Sequence, residues 1–310
     1  MTERTDDTPI ELPPPLADQT GYLLHRTFLV AAGFASGEYP HTHGPREVAV
    51  LGSLKVMGPC SQREIAERLG VNRTMMVKLM DDLERQGLVE RRRNPVDRRS
   101  YALQLTDEGV KALKRLEPHA DRAESRLTAR LEPAERRRLN ELLRTLLSPT
   151  LAVPDDLAER TGFLVGKIHF MHREAGNRAL APVDIDVRDY GTMTALDDRP
   201  SSQQDLARAL GVSGTLVVQI VDGLEERGLV ERRRNPDDRR SYVLRLTEAG
   251  RKTLESAGEQ LADVVPALTA PIGEDAAAEL RRLLRKLLGA SLSADRDRSQ
   301  PEGATPRPAT

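Results

Sequence analysis

The segment VERRRNPVDRRSYALQLTDEG, Val89 to Gly109, returns as VERRRNPDDRRSYVLRLTEAG, Val230 to Gly250, with 16 of 21 positions identical. The copies lie 141 residues apart. The same offset aligns Thr20-Gly21 with Thr161-Gly162, and Leu142-Leu143-Arg144 with Leu283-Leu284-Arg285, with no gap between. Self-similarity sustained over a domain's length marks a duplicated domain rather than a shared motif. Whatever one copy folds into, the chain builds twice.

The 310 residues divide accordingly into a tail (1–15), a first unit (16–150), a second unit (151–290) and a final tail (291–310). The joint Ser148 to Asp156, SPTLAVPDD, carries two prolines and reads as a short break between helices. Both tails are rich in Pro, Asp, Arg, Gly and Thr without apolar periodicity, and disorder is expected there.

Within the first unit, Leu16 to Ala35 has apolar residues at helical spacing and predicts a long first helix. Gly33 to Gly44 reads as a loop, and Arg46 to Met57 as a second helix ended by Gly58-Pro59. Ser61-Gln62-Arg63-Glu64 has the capping-box pattern. The helix it opens places Ile65, Ala66 and Leu69 on one face, and Gly70-Val71 makes a turn. Another helix follows from about Arg73 to Gln86, with Met76, Leu79, Met80 and Leu83 as its inner stripe. Two short helices joined by a tight glycine turn are a helix-turn-helix.

Leu88 to Arg92 and Tyr101 to Leu105 alternate as strands do, bracketing a polar, basic tip. This is a β-hairpin, the wing. Thr106 caps a long helix with Asp107 and Glu108 in its first turn, and Pro133 to Leu147 forms a last helix with Leu139, Leu142, Leu143 and Leu146 on one face. The second unit repeats this plan, with Ser202-Gln203-Gln204-Asp205, Gly211-Val212, a helix from about Gly214 to Arg227 and a wing around Pro236 to Ser241. The fold class is mainly α with small β-wings: two winged helix-turn-helix domains. Their flanking helices present apolar faces that need another partner.

Composition limits the setting. Hydrophobic residues at 38% and charged residues at 31% suit a soluble globular chain with a charged surface. No run of about 18 apolar residues suggests a membrane span, and the acidic, Pro-rich start lacks the core of a secretory signal. The single cysteine, Cys60, cannot form an internal disulfide, so a cytoplasmic location is expected. With 47 Lys and Arg against 48 Asp and Glu, any polyanion partner depends on local segregation of charge.

Such segregation is visible. A helix in the major groove reads base edges with its N-terminal, outward side chains. In the first unit these are Arg73, Thr74, Val77 and Lys78. In the second they are Gly214, Thr215, Val218 and Gln219, without either cation. Ser61, Gln62, Ser202 and Gln203 stand at the starts of the preceding helices and suit phosphate contact through the helix N-terminus. In the wing, Arg91, Arg92, Arg93, Arg98 and Arg99 face only Glu90 and Asp97, a net of +3 over ten residues. Arg233, Arg234, Arg239 and Arg240 repeat that pattern. Arginine at a hairpin tip suits phosphate or minor-groove contact, and Asp97 and Asp238 are placed to support it. The competing reading is a merely solvated hairpin.

Ser61 to Gly109 and Ser202 to Gly250 each resemble the MarR family. The resemblance lies in the L-x-x-x-G-L-V-x-R approach to the wing, the D-R-R tip and the L-T-x-x-G start of the next helix. With the flanking helices it covers nearly all of residues 16 to 290. It implies a transcriptional regulator, most often a repressor, that binds double-stranded DNA with two half-sites. It further implies release by a small phenolic or lipophilic effector, and pairing of modules through terminal helices, here as an intrachain pseudo-dimer or a homodimer of chains. The alternative is a ligand-sensing or protein-interaction module with little DNA affinity. Met75, Leu216 and Gly214 depart from the family's usual small polar and basic residues.

Cys60 has no evident activating neighbour. His41 with His43, and His169 with His172, lack the further ligands a zinc site needs. No nucleotide loop or nucleophile elbow is present. Neither a cofactor, a metal nor enzymatic activity is expected.

Overall fold

The computed structural model describes residues 10–40, 43–93, 101–148, 151, 153–234 and 242–292. The N-terminal tail and first repeat contain β1 (Ile10–Leu12), α1 (Pro14–Ala17), α2 (Thr20–Glu38), α3 (Pro45–Met57), α4 (Gln62–Leu69) and α5 (Arg73–Arg85). Strands β2 (Val89–Arg93) and β3 (Tyr101–Leu105) follow, then α6 (Asp107–Thr128) and α7 (Pro133–Leu147). The second repeat begins with α8 (Thr161–Leu180), a 3-10 turn at Ala181–Val183, α9 (Val187–Asp198), α10 (Gln203–Leu210) and α11 (Gly214–Glu226). It continues with β4 (Val230–Arg234), β5 (Tyr242–Leu246), α12 (Glu248–Leu261), α13 (Val264–Thr269), α14 (Gly273–Leu288) and β6 (Ala290–Leu292).

Local chemistry sets the winged core. Ser61 accepts from the Glu64 amide at 3.2 Å, and the Glu64 carboxylate accepts from the Ser61 amide at 2.7 Å. Two orphan amides at the start of α4 are thereby satisfied. In α10 the shorter Asp205 accepts from the Ser202 hydroxyl instead, at 2.7 Å. The turns after α4 and α10 need left-handed backbone, φ 54° at Gly70 and φ 71° at Gly211, which glycine adopts without strain. Asn72 and Ser213 then cap α5 and α11. Met76, Leu79, Met80 and Leu83 are all buried, packed with Val50, Leu51, Leu54, Ile65 and Leu113. Full burial of each such aliphatic side chain is worth about 1.5–3 kcal/mol relative to exposure.

Each wing is a two-stranded antiparallel hairpin, pairing Val89 with Leu105 through Arg93 with Tyr101, and Val230 with Leu246 through Arg234 with Tyr242. Cys60 and Ser201 add a short third rung against Leu103 and Leu244. The glycine of L-T-x-x-G has a steric cause. A Cβ on Gly109 would stand 2.0 Å from the Leu88 carbonyl oxygen, and one on Gly250 the same distance from that of Leu229. No side chain fits there.

Three expectations are revised. Helix α2 runs through Gly33 and Gly37 to Glu38 rather than ending at Ala35. Both glycines are exposed, and the helix end is held by Arg122 and Arg126 on Glu38 and by the His119 ring on the Glu38 carbonyl. Tertiary contacts override the glycines' weak propensity. The long helix of the first unit is divided into α12 and α13 in the second, where Pro266 lies in the first turn of α13 and has no amide to donate. Ile10–Leu12, within the expected disordered tail, pairs in parallel with Ala290–Leu292, and Ile10 and Leu12 are buried. Their alternate spacing provides the buried face that average composition conceals.

Compactness follows a different partition from the repeats. One compact unit joins the described residues up to Arg26 with His172–Leu268 and those from Ala277 onward. The other joins Thr27–Met171 with Thr269–Ala276. Each therefore contains one winged module and a leading helix segment of the other repeat. Among the described residues no single helix is long and apolar enough to cross a membrane.

The carbonyl approach predicts opposite outcomes for two glycines. Gly109→Ala forces backbone apart and is expected to cost about 1–3 kcal/mol, seen as a lowered thermal midpoint. Gly223→Ala, inside α11 with nothing within 4 Å, should stabilise by about 0.5–1 kcal/mol.

Candidate nucleic-acid interface

In α5 the inner stripe is buried, which turns Arg73, Thr74, Val77 and Lys78 outward, and all four are exposed. In α11 the same geometry exposes Gly214, Thr215, Val218 and Gln219. Val77 and Val218 are 40% and 39% exposed, so their methyl groups are available at the surface of each helix. An exposed methyl-bearing side chain in this position can meet a thymine methyl. Met75 is exposed beside them, whereas Leu216 is half-buried.

Ser61 and Ser202 spend their hydroxyls on capping, while Gln62 and Gln203 are the first residues of α4 and α10 and are half-buried. Capping leaves the positive end of each helix dipole at the surface. The Ser61 hydroxyl and amide hold the Glu64 carboxyl below its ordinary range.

The wing arginines divide into two kinds. Arg91 turns back onto α5, contacting Asp81 at 2.8 Å and Glu84 at 3.4 Å. Arg232 meets Asp222 and Glu225 on α11 in the same way. These arginines fasten the wing base to α5 and α11, the second or recognition helix of each helix-turn-helix. Arg92 pairs with Glu90 at 2.8 Å, and Arg233 with Glu231 at 2.6 Å. Gln104 and then Arg92 lower the Glu90 carboxyl. Arg93 and Arg234 are exposed at the far ends of β2 and β4. Arg98, Arg99, Arg239, Arg240, Asp97 and Asp238 lie outside the described residues.

The count of +3 for the first wing therefore overstates its outward charge, since it omitted Asp81 and Glu84. A signal for them was present. Carboxylates three apart share a helix face, and Asp81 with Glu84 recurs as Asp222 with Glu225 at the 141-residue offset. Exposed pairs of this kind contribute little stability. What they join is the base of each wing and the helix before it.

Cys60 is buried in the rung against Leu103, and burial pushes its thiol up to about 11. His169 stacks on Phe28 at 4.6 Å, and burial brings His172 down to about 4. His41 lies outside the described residues. Among those described, no group of three or more His, Cys, Asp or Glu is arranged to hold a metal.

MarR family profiles match residues 45–101 and 183–241, one in each repeat. A Thauera aromatica protein named for transcriptional regulation of the hcr operon is 38% identical over 147 residues, 46% of this chain and 88% of that protein. The chain belongs to the MarR family. The HTH-type transcriptional repressor NicR of Pseudomonas putida is 31% identical over 110 residues, 35% of this chain and 70% of its own. Among solved structures, the transcriptional repressor CouR bound to a DNA duplex is 32% identical, covering 39% of this chain and 87% of its own, with a TM-score of 0.36. In this MarR-family chain two such units are carried in tandem.

Burial that disfavours the thiolate is expected to slow reaction at Cys60. Alkylation by iodoacetamide at pH 8 should be about a hundredfold slower in the native protein than in urea, because burial holds the folded thiol at about 11. Folding raises this pKa, so the associated stability is full below about pH 9 and disappears as pH climbs through 11.

Proposed function

We propose that this chain is a sequence-specific, double-stranded DNA-binding repressor that is released by a small effector and has no enzymatic activity. The observation that carries the reading is the simultaneous exposure of Arg73, Thr74, Val77 and Lys78, and of Thr215, Val218 and Gln219, on helices each fastened to an arginine-bearing wing. Recognition helix and wing together match the demands of a groove and its flanking phosphates.

Arg73 pairs with guanine, Thr74 with a base or phosphate, and Val77 with a thymine methyl, while Lys78 adds a second basic contact. Arg92, Arg93, Arg98 and Arg99 in one wing, and Arg233, Arg234, Arg239 and Arg240 in the other, contact phosphate or the minor groove. Asp97 and Asp238 steady the tips. Ser61, Gln62, Ser202 and Gln203 present helix N-termini to phosphate.

The operator has two unequal halves. Gly214 and Gln219 stand where the first module has Arg73 and Lys78, so the second module grips less and reads fewer bases. That substitution also favours a second reading for this module alone, as a weak reader retained to position the first. Tethering holds the two modules at an effective concentration of about millimolar, so one chain acts as a pseudo-dimer. The effector is a small phenolic or lipophilic molecule, in keeping with the family.

Selection from a random duplex pool tests this reading. The expected product is a two-half site bound with strong salt dependence, since each phosphate contact releases counterions. Arg73→Ala or Lys78→Ala should cost about 1–3 kcal/mol and relax preference in one half only. Joint replacement of Arg98, Arg99, Arg239 and Arg240 by Ala should weaken binding to all sequences, and unchanged affinity would remove the wings from the interface. Light scattering should give one chain per particle; two would indicate four modules.

A further inference from the structure

The turn of each helix-turn-helix is held by a cation from the leading helix of the other repeat. Arg26 of α2 is fully buried and donates to the carbonyls of Arg208, at 3.1 Å, and Ala209, at the end of α10. It also donates to the Tyr22 hydroxyl at 3.1 Å, and that hydroxyl donates to the same Ala209 carbonyl at 2.5 Å. A Cβ at Gly211 would stand 2.6 Å from the Arg26 Nε, so this glycine makes room for the guanidinium as well as the turn.

Position 167 is the equivalent of 26 at the 141-residue offset, and there Lys167 of α8 donates to the Gly70 carbonyl at 3.3 Å. Phe163 replaces Tyr22, and Lys167 lies 5.4 Å from the centre of its ring. The phenyl ring has no hydroxyl to donate. Burial, and then Arg46, bring the Lys167 ammonium down to about 8, so its charge is penalised where it sits. The last carbonyls of a helix lack intrahelical partners, and a cation placed on them satisfies both bond and dipole. The two modules differ in how completely this is done.

We propose that Arg26 and Lys167 are positioning residues that couple the leading helices crosswise to the recognition helices, tightly in the second module and loosely in the first. The leading helix of the first repeat governs the module of the second, and the reverse. The loosely held module is the one whose recognition helix carries Arg73 and Lys78. A disturbance of the leading helices is therefore passed more fully to the second module, and the stronger DNA reader is the one less tied to them. The DNA consequence rests on the function proposed above, whereas the coupling does not.

Amide hydrogen exchange in the full chain tests the coupling, because local opening is read residue by residue. Arg26→Met should accelerate exchange at Gly211 and Val212 by about tenfold or more, leaving Gly70 and Val71 unchanged. Lys167→Met should do the converse, by a smaller factor. Arg26→Lys should restore part of the protection, which a purely space-filling role would not. Should Arg26→Met not fold, Tyr22→Phe removes one donor from the Ala209 carbonyl without changing shape and should loosen the same turn by a few fold. Acceleration in the same repeat's turn, in both turns equally or in neither would overturn the proposal. Footprinting on the selected operator provides the second arm, with Arg26→Met expected to weaken protection in the half read by the second module. A native chain that binds no duplex sinks the function reading and leaves the exchange result to decide the coupling.

Discussion

Recognition helix, wing and long helix converge on the backbone of one residue in each repeat, Leu88 and Leu229. The Leu88 carbonyl accepts from the Thr106 amide at 3.1 Å, the Leu88 amide donates to Leu83 at 3.0 Å, and Gly109 lies against the same carbonyl. The Thr106 hydroxyl also donates to the Gly87 carbonyl at 2.6 Å. Leu229, Thr247 and Gly250 reproduce the arrangement. Three elements locked at a backbone junction cannot pivot separately, because backbone hydrogen bonds and steric exclusion act together there. The exposed face of α5 is thus presented at a set angle to the wing.

On that junction the charges are arranged by role rather than by density. Carboxylates on the back of the recognition helix draw in Arg91 and Arg232, and Glu90 and Glu231 engage Arg92 and Arg233. The chain's near-zero net charge is compatible with this, since acidic residues hold basic elements in place. The repeats then diverge where they would meet bases and where their turns are held. Arg73 and Lys78 correspond to Gly214 and Gln219, while Tyr22 and Arg26 correspond to Phe163 and Lys167. The more charged helix has the lighter support.

Much of the winged core was readable because its signals are local. Capping residues, turn glycines and a 3.6-residue apolar stripe act over three or four neighbours, and Ser61, Gly70, Met76 and Leu83 behave as their spacing requires. Helix boundaries failed where distant groups intervened. Glycines within α2 suggested a loop, but Arg122, Arg126 and His119 hold the helix to Glu38. Arg91 looked like an outward charge because its partners belong to another element.

The sequence by itself determined the duplication, the helix-turn-helix and hairpin in each copy, and which recognition-helix residues face away from the core. These follow from periodicity and capping, which are short-range. Only the tertiary structure decided that Arg91 serves the scaffold, that Gly109 answers to a carbonyl, and that Arg26 holds a turn 182 residues away. A buried guanidinium must find acceptors wherever packing places them, and packing pays no regard to separation along the chain.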